Sequence, residues 1–411
     1  MLRRPFFVTA LICPLSLACM NGAEGTAVVS RSTLPNGAEL VRYGSLGLGS
    51  VPTMSADLSI GVVEGDPHEI FGDVRSVDAG RDGTIYVLDT QASEIRAFDG
   101  QGRFLRTVAS RGEGPGEISE ANGLILLGDS LLWVQDHGKW LMLALRPEGG
   151  ELTRVPMPVR NHGFAWNGTV DDAGRFWKPD SHSDDPQVFP PEVGLAQGTV
   201  RSYMKGHDPR TGVTDSVFLG EVGYRALVSR LGSSGWASSR VPFDARPVTT
   251  VDPRGGFWHT ETASYRIAHL DPNGDTMLVI ETDVPSLPVT DDDRSIYVEN
   301  GAERGPEYRR IAEEVAALMP EWKPVIETLV ADDEGRVWVE RSMPEGKAPV
   351  YDVFTGDGDY EGTVQLGFRP ADYLPIRIRH GNLYAIVPNE VDVHTVVRAP
   401  IPPELAQASD P

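Results

Sequence analysis

The sequence predicts an all-β fold: a six-bladed β-propeller of four-stranded antiparallel blades, with a helical insertion between blades 4 and 5. Three observations predict it: a recurring four-residue phrase, the spacing of its copies, and a surplus of turn residues. The 411 residues include 44 Gly and 32 Pro, more than the average usage of about 7% and about 5%. Such a surplus is typical of many short strands joined by tight turns.

The phrase consists of a Gly, any residue, an aliphatic residue or Phe, and then Tyr or Trp. Its copies are Gly83–Tyr86, Gly174–Trp177, Gly255–Trp258, Gly335–Trp338 and Gly381–Tyr384, with a looser copy at Gly128–Trp133. Short strands that end in acidic turn residues precede several copies, and a further strand pair follows them. Each unit therefore reads as four strands with tight turns between them.

The aromatic residues of successive copies are 47, 44, 81, 80 and 46 positions apart. A period of about 40 to 50 residues with four short strands is typical of propeller blades. Each of the two long intervals could hide a further blade, which would make eight. We favour six blades, because neither interval contains another copy of the phrase.

The N-terminus predicts export. Arg3 and Arg4 precede an apolar run from Phe6 to Ala18, which is the pattern of a secretory signal and too short to span a bilayer. The stretch Leu15–Cys19 resembles the bacterial lipobox, so we expect residues 1–18 to be removed and Cys19 to carry lipid, with plain secretion as the alternative. Met20, rather than Asp, follows this cysteine, which favours an outer-membrane-anchored lipoprotein of the cell envelope.

We expect residues 19–55 to form a tether, because they show no sustained periodicity. The only cysteines of the sequence are Cys13 and Cys19, so we expect no disulfide or cysteine-ligated metal in the folded body.

The propeller is predicted over residues 56–402, with insertions at about 225–242 and 290–322. The first insertion has the Ser/Gly-rich composition of a loop. The second begins with a capping box at Thr290–Asp293 and continues, after Pro306, with apolar residues at helical spacing. Asp57–Val63 is predicted to supply the fourth strand of the last blade and so close the ring. Residues 403–411 are predicted to be a disordered tail.

The run Arg111–Ile118 contains a Gly-x-Gly-Pro-Gly-Glu motif. It follows the phrase Gly102–Leu105, and the strand Ile85–Asp89 precedes both. Together these segments resemble the bacterial six-bladed β-propeller lipoproteins related to NHL-repeat proteins, over about Asp57 to Ile401. The resemblance implies an exported propeller that is often lipid-anchored.

Ligands of propellers usually bind where the loops after the second strands meet the crossovers between blades, by analogy with the fold. The residues three positions after the repeat aromatics are Asp89, Asp136, Asp180, Glu261, Arg341 and Val387. A ring of carboxylates at the channel mouth is one interpretation. The other is that each Asp caps its own loop by accepting backbone N–H bonds. Arg111, Glu117, His137 and His182 complete the set of candidate ligand-binding residues.

We therefore expect a monomeric binding protein without catalysis, whose loops bind an extracellular protein, peptide or glycan. The alternative is an NHL-like or gluconolactonase-like hydrolase or lyase, in which Asp136, Asp180 and Glu261 hold an axial divalent cation such as calcium; the Asn ligands of that family are missing here. A third reading is a structural envelope scaffold. We expect no other cofactor, because phosphate-loop, serine-elbow and zinc-helix motifs are absent from the sequence. The net charge of −22 disfavours nucleic acid and anionic lipid surfaces as partners.

Overall fold

A computed structural model describes residues 29–156, 169–183 and 192–406, without Leu48, Ser50, Ser234, Glu390 and Asp392, and without the side chains of His182 and Ser183. The expected signal peptide and Cys19 lie outside the described residues. Within these residues, no helix has the length and apolar character needed to cross a membrane.

Four strands precede the first repeat: β1 (Ser30–Thr33), β2 (Glu39–Ser45), β3 (Thr53–Met54) and β4 (Leu58–Ile60). Blades 1 and 2 then follow with four antiparallel strands each. Blade 1 contains β5 (Val74–Ala79), β6 (Ile85–Asp89), β7 (Glu94–Phe98) and β8 (Phe104–Ala109). Blade 2 contains β9 (Ala121–Leu127), β10 (Leu131–Asp136), β11 (Leu141–Leu145) and β12 (Glu151–Pro156).

Blade 3 has five strands, two of them long: β13 (Thr169–Val170), β14 (Phe176–Ser183), β15 (Gly194–His207), β16 (Thr214–Leu231) and β17 (Gly235–Arg240). The loop predicted at 225–242 is therefore wrong. This segment is the end of β16 and the strand β17, paired from Ala226↔Arg240 to Leu231↔Gly235. Its Ser/Gly-rich composition resembles a loop, but cross-strand pairing decides its structure.

Blades 4 to 6 complete the ring. Blade 4 contains β18 (Pro247–Val251), β19 (Phe257–Glu261), β20 (Arg266–Leu270) and β21 (Thr276–Asp283). Blade 5 contains β22 (Ile326–Ala331), β23 (Val337–Arg341), β24 (Val350–Phe354) and β25 (Tyr360–Leu366). Blade 6 contains β26 (Arg377–Arg379), β27 (Asn382–Pro388) and β28 (His394–Pro400).

The first strands of neighbouring blades contact each other in the pairs β5–β9, β9–β13, β18–β22, β22–β26 and β26–β5. Blades 3 and 4 are joined by the hydrogen bond from the Asp172 amide to the Pro253 carbonyl, at 3.1 Å. The six sheets therefore form a ring, and the predicted six-bladed propeller is confirmed. Strand β4 pairs antiparallel with β28 and supplies the fourth strand of blade 6, as predicted.

The repeated aromatics hold neighbouring blades together. The ring of Trp133 in blade 2 packs edge-on against Phe176 in blade 3 at 4.9 Å, and Trp177 in blade 3 packs in the same way against Phe257 in blade 4 at 4.9 Å. The two apolar positions of the phrase face opposite sides of their strand, so each copy reaches both neighbouring blades. The preceding acid also contributes, because Trp177 Nε1 donates to Asp171 at 2.7 Å.

The predicted tether at 19–55 is corrected for the part that the structure describes. Strand β2 pairs in parallel with β21 of blade 4, and β1 pairs with β2. Strand β3 pairs in parallel with β25 of blade 5. The chain before the first repeat therefore runs along the outer edges of blades 4, 5 and 6 and belongs to the folded body.

The helical insertion consists of α1 (Asp291–Glu303) and α2 (Pro306–Ala316), as predicted between blades 4 and 5. Thr290 and Asp293 form the capping box, and α2 packs Ile311 and Val315 against Leu227 of β16. A third helix, α3 (Pro403–Ala406), replaces the start of the predicted disordered tail, because Leu405 is buried against the blade 6 core. Residues 407–411 lie outside the described part.

Candidate functional site on the loop face

The loop face is the side of the ring that carries the loops after the second strands and the crossovers between blades. The helices α1 and α2 belong to it, because they lie in the crossover from β21 to β22. The end of β16 packs on α2, so the long hairpin that β15 and β16 form in blade 3 reaches the helices on this side.

Asp89 and Asp136 cap loops. Both carboxylates are buried, with exposures of 1% and 0%, and each accepts three backbone N–H bonds. The donors to Asp89 are Gly72, Asp73 and Ala92 at 2.9–3.1 Å. The donors to Asp136 are Ser119, Glu120 and Lys139 at 2.8–3.2 Å. Each acid thus ties the crossover that enters its blade to its own loop, and neither carboxylate faces solvent.

The motif at Arg111–Ile118 shapes the crossover between blades 1 and 2. Glu117 Oε2 accepts from the Gly114 amide at 2.6 Å. A side chain at Gly112 would place its Cβ 2.0 Å from the same oxygen and would have to displace the Glu117 carboxylate. Arg111 is exposed and donates to the Gln91 carbonyl at 2.8 Å. The Glu117 carboxylate therefore folds the loop, while Arg111 links two loops at the surface.

Asp180 lies in β14 of blade 3, and His137 follows β10 of blade 2. Asp180 forms an ion pair with Lys205 on the neighbouring strand of the same blade. The His137 ring lies 5.7 Å from the ring of Trp140, whose side chain is 53% exposed. The side chain of His182 lies outside the described residues.

Arg341 is a buried structural residue. Its guanidinium donates twice to the Asp352 carboxylate, at 2.6 and 2.8 Å, and once to the Leu46 carbonyl at 3.0 Å. Tyr265 of blade 4 donates to the same carboxylate at 2.5 Å. Arg341 therefore joins blade 5, blade 4 and the N-terminal strand segment.

The alternative reading placed an axial cation on Asp136, Asp180 and Glu261, and the structure does not group these three acids as a metal site. Among the residues described, no group of three or more His, Cys, Asp or Glu side chains is arranged to hold a metal ion. The carboxylate of Asp136 is instead occupied by backbone amides.

Glu261 differs from the other candidates because it is exposed and lines an open cavity of about 600 Å³. The cavity lies between the blade 3 hairpin and the loop-face end of blade 4. Its lining residues are Gln197, Gly198, Thr199, Gly223, Tyr224, Arg225, Asp244, Ala245 and Glu261. Arg225 Nε donates to Asp244 at 3.0 Å, so the charges of these two lining residues balance. Glu261 then gives the cavity lining a net negative charge.

A second group of polar side chains lies at the start of β22 and the end of β23. None of its residues was among the candidates predicted from the sequence. Ser342 Oγ donates to Glu327 Oε1 at 2.5 Å, and Tyr351 donates to Glu340 Oε2 at 2.8 Å. Burial raises the pKa of the Glu340 carboxyl to about 7; the negative charge of Glu327 also raises it, and the Tyr351 hydrogen bond lowers it. The sequence offered one clue to this group: Glu340 and Ser342 are the direct neighbours of Arg341, which lies three positions after the repeat aromatic Trp338.

Arg246 connects the two regions. It follows the cavity-lining Ala245, and its amide donates to Thr262 Oγ1 at 3.0 Å, next to Glu261. Its guanidinium donates to the Glu327 carbonyl at 2.7 Å. The cavity and the Glu327–Glu340 group therefore lie on neighbouring parts of the loop face.

Residues 70–139 match the model of the DUF5128 family, which is described as a 6-bladed beta-propeller. No curated protein matches the sequence at a significant level.

Among solved structures, an exported-protein candidate from Bacteroides fragilis is similar, with 10% identity, a TM-score of 0.45, and coverage of 88% of this chain and 99% of that chain. A DUF4221 family member from Bacteroides vulgatus has 11% identity, a TM-score of 0.48, and coverage of 84% and 97%. Virginiamycin B lyase from Staphylococcus aureus has 8% identity, a TM-score of 0.37, and coverage of 84% and 98%. We assign no activity from these proteins. The chain is a six-bladed β-propeller, and its first blade and the start of its second match a family described by that fold.

Proposed function

We propose that this chain is an exported, lipid-anchored propeller that binds a polar extracellular ligand, a glycan or a peptide, on its loop face without catalysis. The observation that carries the proposal is the open cavity beside Glu261. Its volume of about 600 Å³ lies within the range of about 300–1,000 Å³ typical of ligand sites.

The lining of the cavity favours a polar ligand. Gln197 and Thr199 supply an amide and a hydroxyl, and Tyr224 supplies an aromatic ring with a polar tip. Such rings stack on apolar faces while their hydroxyl groups hydrogen-bond. Because Glu261 lines the cavity and the whole chain carries a charge of −22, the ligand should be neutral or cationic.

The proposed address is the outer membrane, through lipid on Cys19. Its support is the signal pattern of residues 1–18 and the lipobox-like stretch Leu15–Cys19. Mass spectrometry of the protein purified from membranes should show a lipidated chain that begins at Cys19. An unmodified N-terminus at any other residue would reject the anchor.

The binding proposal is tested with the purified mature protein on arrays of neutral and cationic oligosaccharides and peptides. For a ligand found there, Tyr224→Ala and Gln197→Ala should each weaken affinity at least about tenfold, the effect of losing roughly 1.4 kcal/mol of contact. Gln101→Ala is the matched control, since Gln101 is an exposed glutamine in the β7–β8 turn, away from the cavity. Equal affinity of all three variants would show that the ligand binds elsewhere.

A second candidate function is acid–base catalysis without a metal, and Glu340 favours it. A carboxyl group with a pKa near 7 can donate a proton at neutral pH. If the cavity ligand is cleaved, Glu340→Gln should abolish turnover while binding persists, and the exposed Glu313→Gln should leave both unchanged. Turnover by Glu340→Gln at the wild-type rate would exclude this role.

A further inference from the structure

Arg377 presents buried donors without acceptors in the interior of the ring. It begins β26, the first strand of blade 6, and its Nε and Nη2 atoms are shielded from solvent without a hydrogen-bond partner in the described part of the chain. A buried guanidinium edge that lacks acceptors is costly.

The neighbours of Arg377 show which way this edge faces. Ile378 packs in the core between blades 5 and 6, so Arg377 and Arg379 lie on the opposite side of β26. Arg379 Nη1 reaches Asp78 of blade 1 at 3.0 Å and the Leu126 carbonyl of blade 2 at 2.7 Å. Arg377 therefore faces the interior on the blade 1 side.

Asp78 is the carboxylate whose charge acts on Arg377, and it is already engaged. Asp78 accepts the Arg379 guanidinium and the amides of Ala79 and Leu126, both at 2.8 Å. Arg379 therefore holds the Asp78 carboxylate, whereas Nε and Nη2 of Arg377 make no hydrogen bond to it. Burial lowers the pKa of Arg377, the negative charge of Asp78 raises it, and the positive charge of Arg379 lowers it.

Two other acids that interact with the charge of Arg379 have their own donors, and a third, Asp172, has its pKa raised by burial and lowered by the charge of Arg379. Asp333 pairs with the His380 ring at 2.9 Å, and Asp129 accepts from the Arg81 amide at 3.0 Å. Water could satisfy the donors of Arg377 but would add no negative charge beside it. An anion supplies both an acceptor and a negative charge. The paired Nε–H and Nη2–H donors form a fork that can hold a single anion.

We propose that the Nε–Nη2 edge of Arg377 binds a small monovalent inorganic anion, such as chloride, inside the propeller. The site stabilises the ring and is distinct from the loop-face cavity. It makes the stability of this acidic protein depend on which anion is present, beyond general screening by salt.

The test compares thermal unfolding of the mature protein in chloride and in gluconate, a bulky organic carboxylate, at equal ionic strength. The wild-type Tm should rise saturably with chloride, by about 2–4 °C. Arg377→Gln should lose this rise, and Arg369→Gln, an arginine 54% exposed at its side chain, should keep it. Because Arg377→Gln also removes a buried charge, it should be more stable than wild type in gluconate.

If Arg377→Gln does not fold, bromide soaked into wild-type crystals gives an independent test. An anomalous peak within hydrogen-bond distance of Nε and Nη2 would support the site. The absence of such a peak, or an equal chloride response in Arg377→Gln and wild type, would overturn it.

Discussion

At the scale of single residues, Asp89 and Asp136 occupy the repeat position from which a ligand ring was expected, yet both serve the fold. Each accepts backbone amides from the crossover 16 and 17 positions earlier and from its own loop three positions later. An acid at this position in the sequence cannot show whether its carboxylate faces solvent or backbone. Of the aligned acids, Glu261 lines a cavity, because Thr262 takes over the contact to the crossover at Arg246.

The first prediction concerns Asp136. Asp136→Ala removes the acceptor of three buried amides, so we expect it to lower the free energy of unfolding by about 2–4 kcal/mol. Urea unfolding followed by tryptophan fluorescence measures the change. The exposed Asp357 provides the control, and Asp357→Ala should stay within about 0.5 kcal/mol of wild type. A similarly small effect of Asp136→Ala would contradict the cap.

The second prediction concerns the pH dependence of stability through Glu340. Its pKa in the folded protein is about 7, above the ordinary value of 4.5, so the folded protein holds a proton that the unfolded chain has lost. The stabilisation is therefore complete below pH 4.5 and is lost as the pH rises towards 7, on the order of 3 kcal/mol in all.

Glu340→Gln should remove this component. Urea unfolding at pH 5 and pH 8 should show a smaller loss of stability across that interval in the variant than in wild type. The exposed Glu313→Gln serves as control and should keep the wild-type loss. An identical loss in Glu340→Gln would mean that Glu340 titrates normally.

At the scale of elements, β2 is a strand that the sequence did not predict, and its surroundings explain why. Leu40 and Val41 are adjacent and both buried, so the strict alternation of a half-exposed strand is missing. Both edges of β2 are paired, one with β1 and the other with β21. One face packs into the core of blades 4 and 5, where Tyr43 contacts Phe354 at 5.8 Å. Pairing of this kind joins residues more than two hundred positions apart, which local patterns do not reveal.

The third prediction tests whether β2 belongs to the folded body. Val41 is 0% exposed within the core of blades 4 and 5, so Val41→Ala should cost about 2 kcal/mol of stability. Val29→Ala, at a side chain 50% exposed, should cost almost nothing. Equal stability of the two variants in urea would mean that the segment around β2 is a tether and not part of the folded body.

At the scale of the whole molecule, the fold was predictable because each blade repeats the same phrase, and contacts such as Trp133–Phe176 and Trp177–Phe257 require that phrase. Ring closure by β4 was predictable for the same reason, since the last repeat lacked one strand. The cavity was not, because it forms between Tyr224 of the blade 3 hairpin and Glu261 of blade 4. Its position depends on how far β15 and β16 extend, and the Ser/Gly-rich end of this hairpin resembled a loop.

Hydrogen–deuterium exchange with a ligand from the array screen can show whether the loop-face cavity is the ligand site. We expect ligand-dependent protection at 197–199, 223–225 and 244–245, which line the cavity, and no change at the turn 252–256, which joins β18 to β19 at the far side of blade 4. Protection at that turn with none around the cavity would contradict the claim.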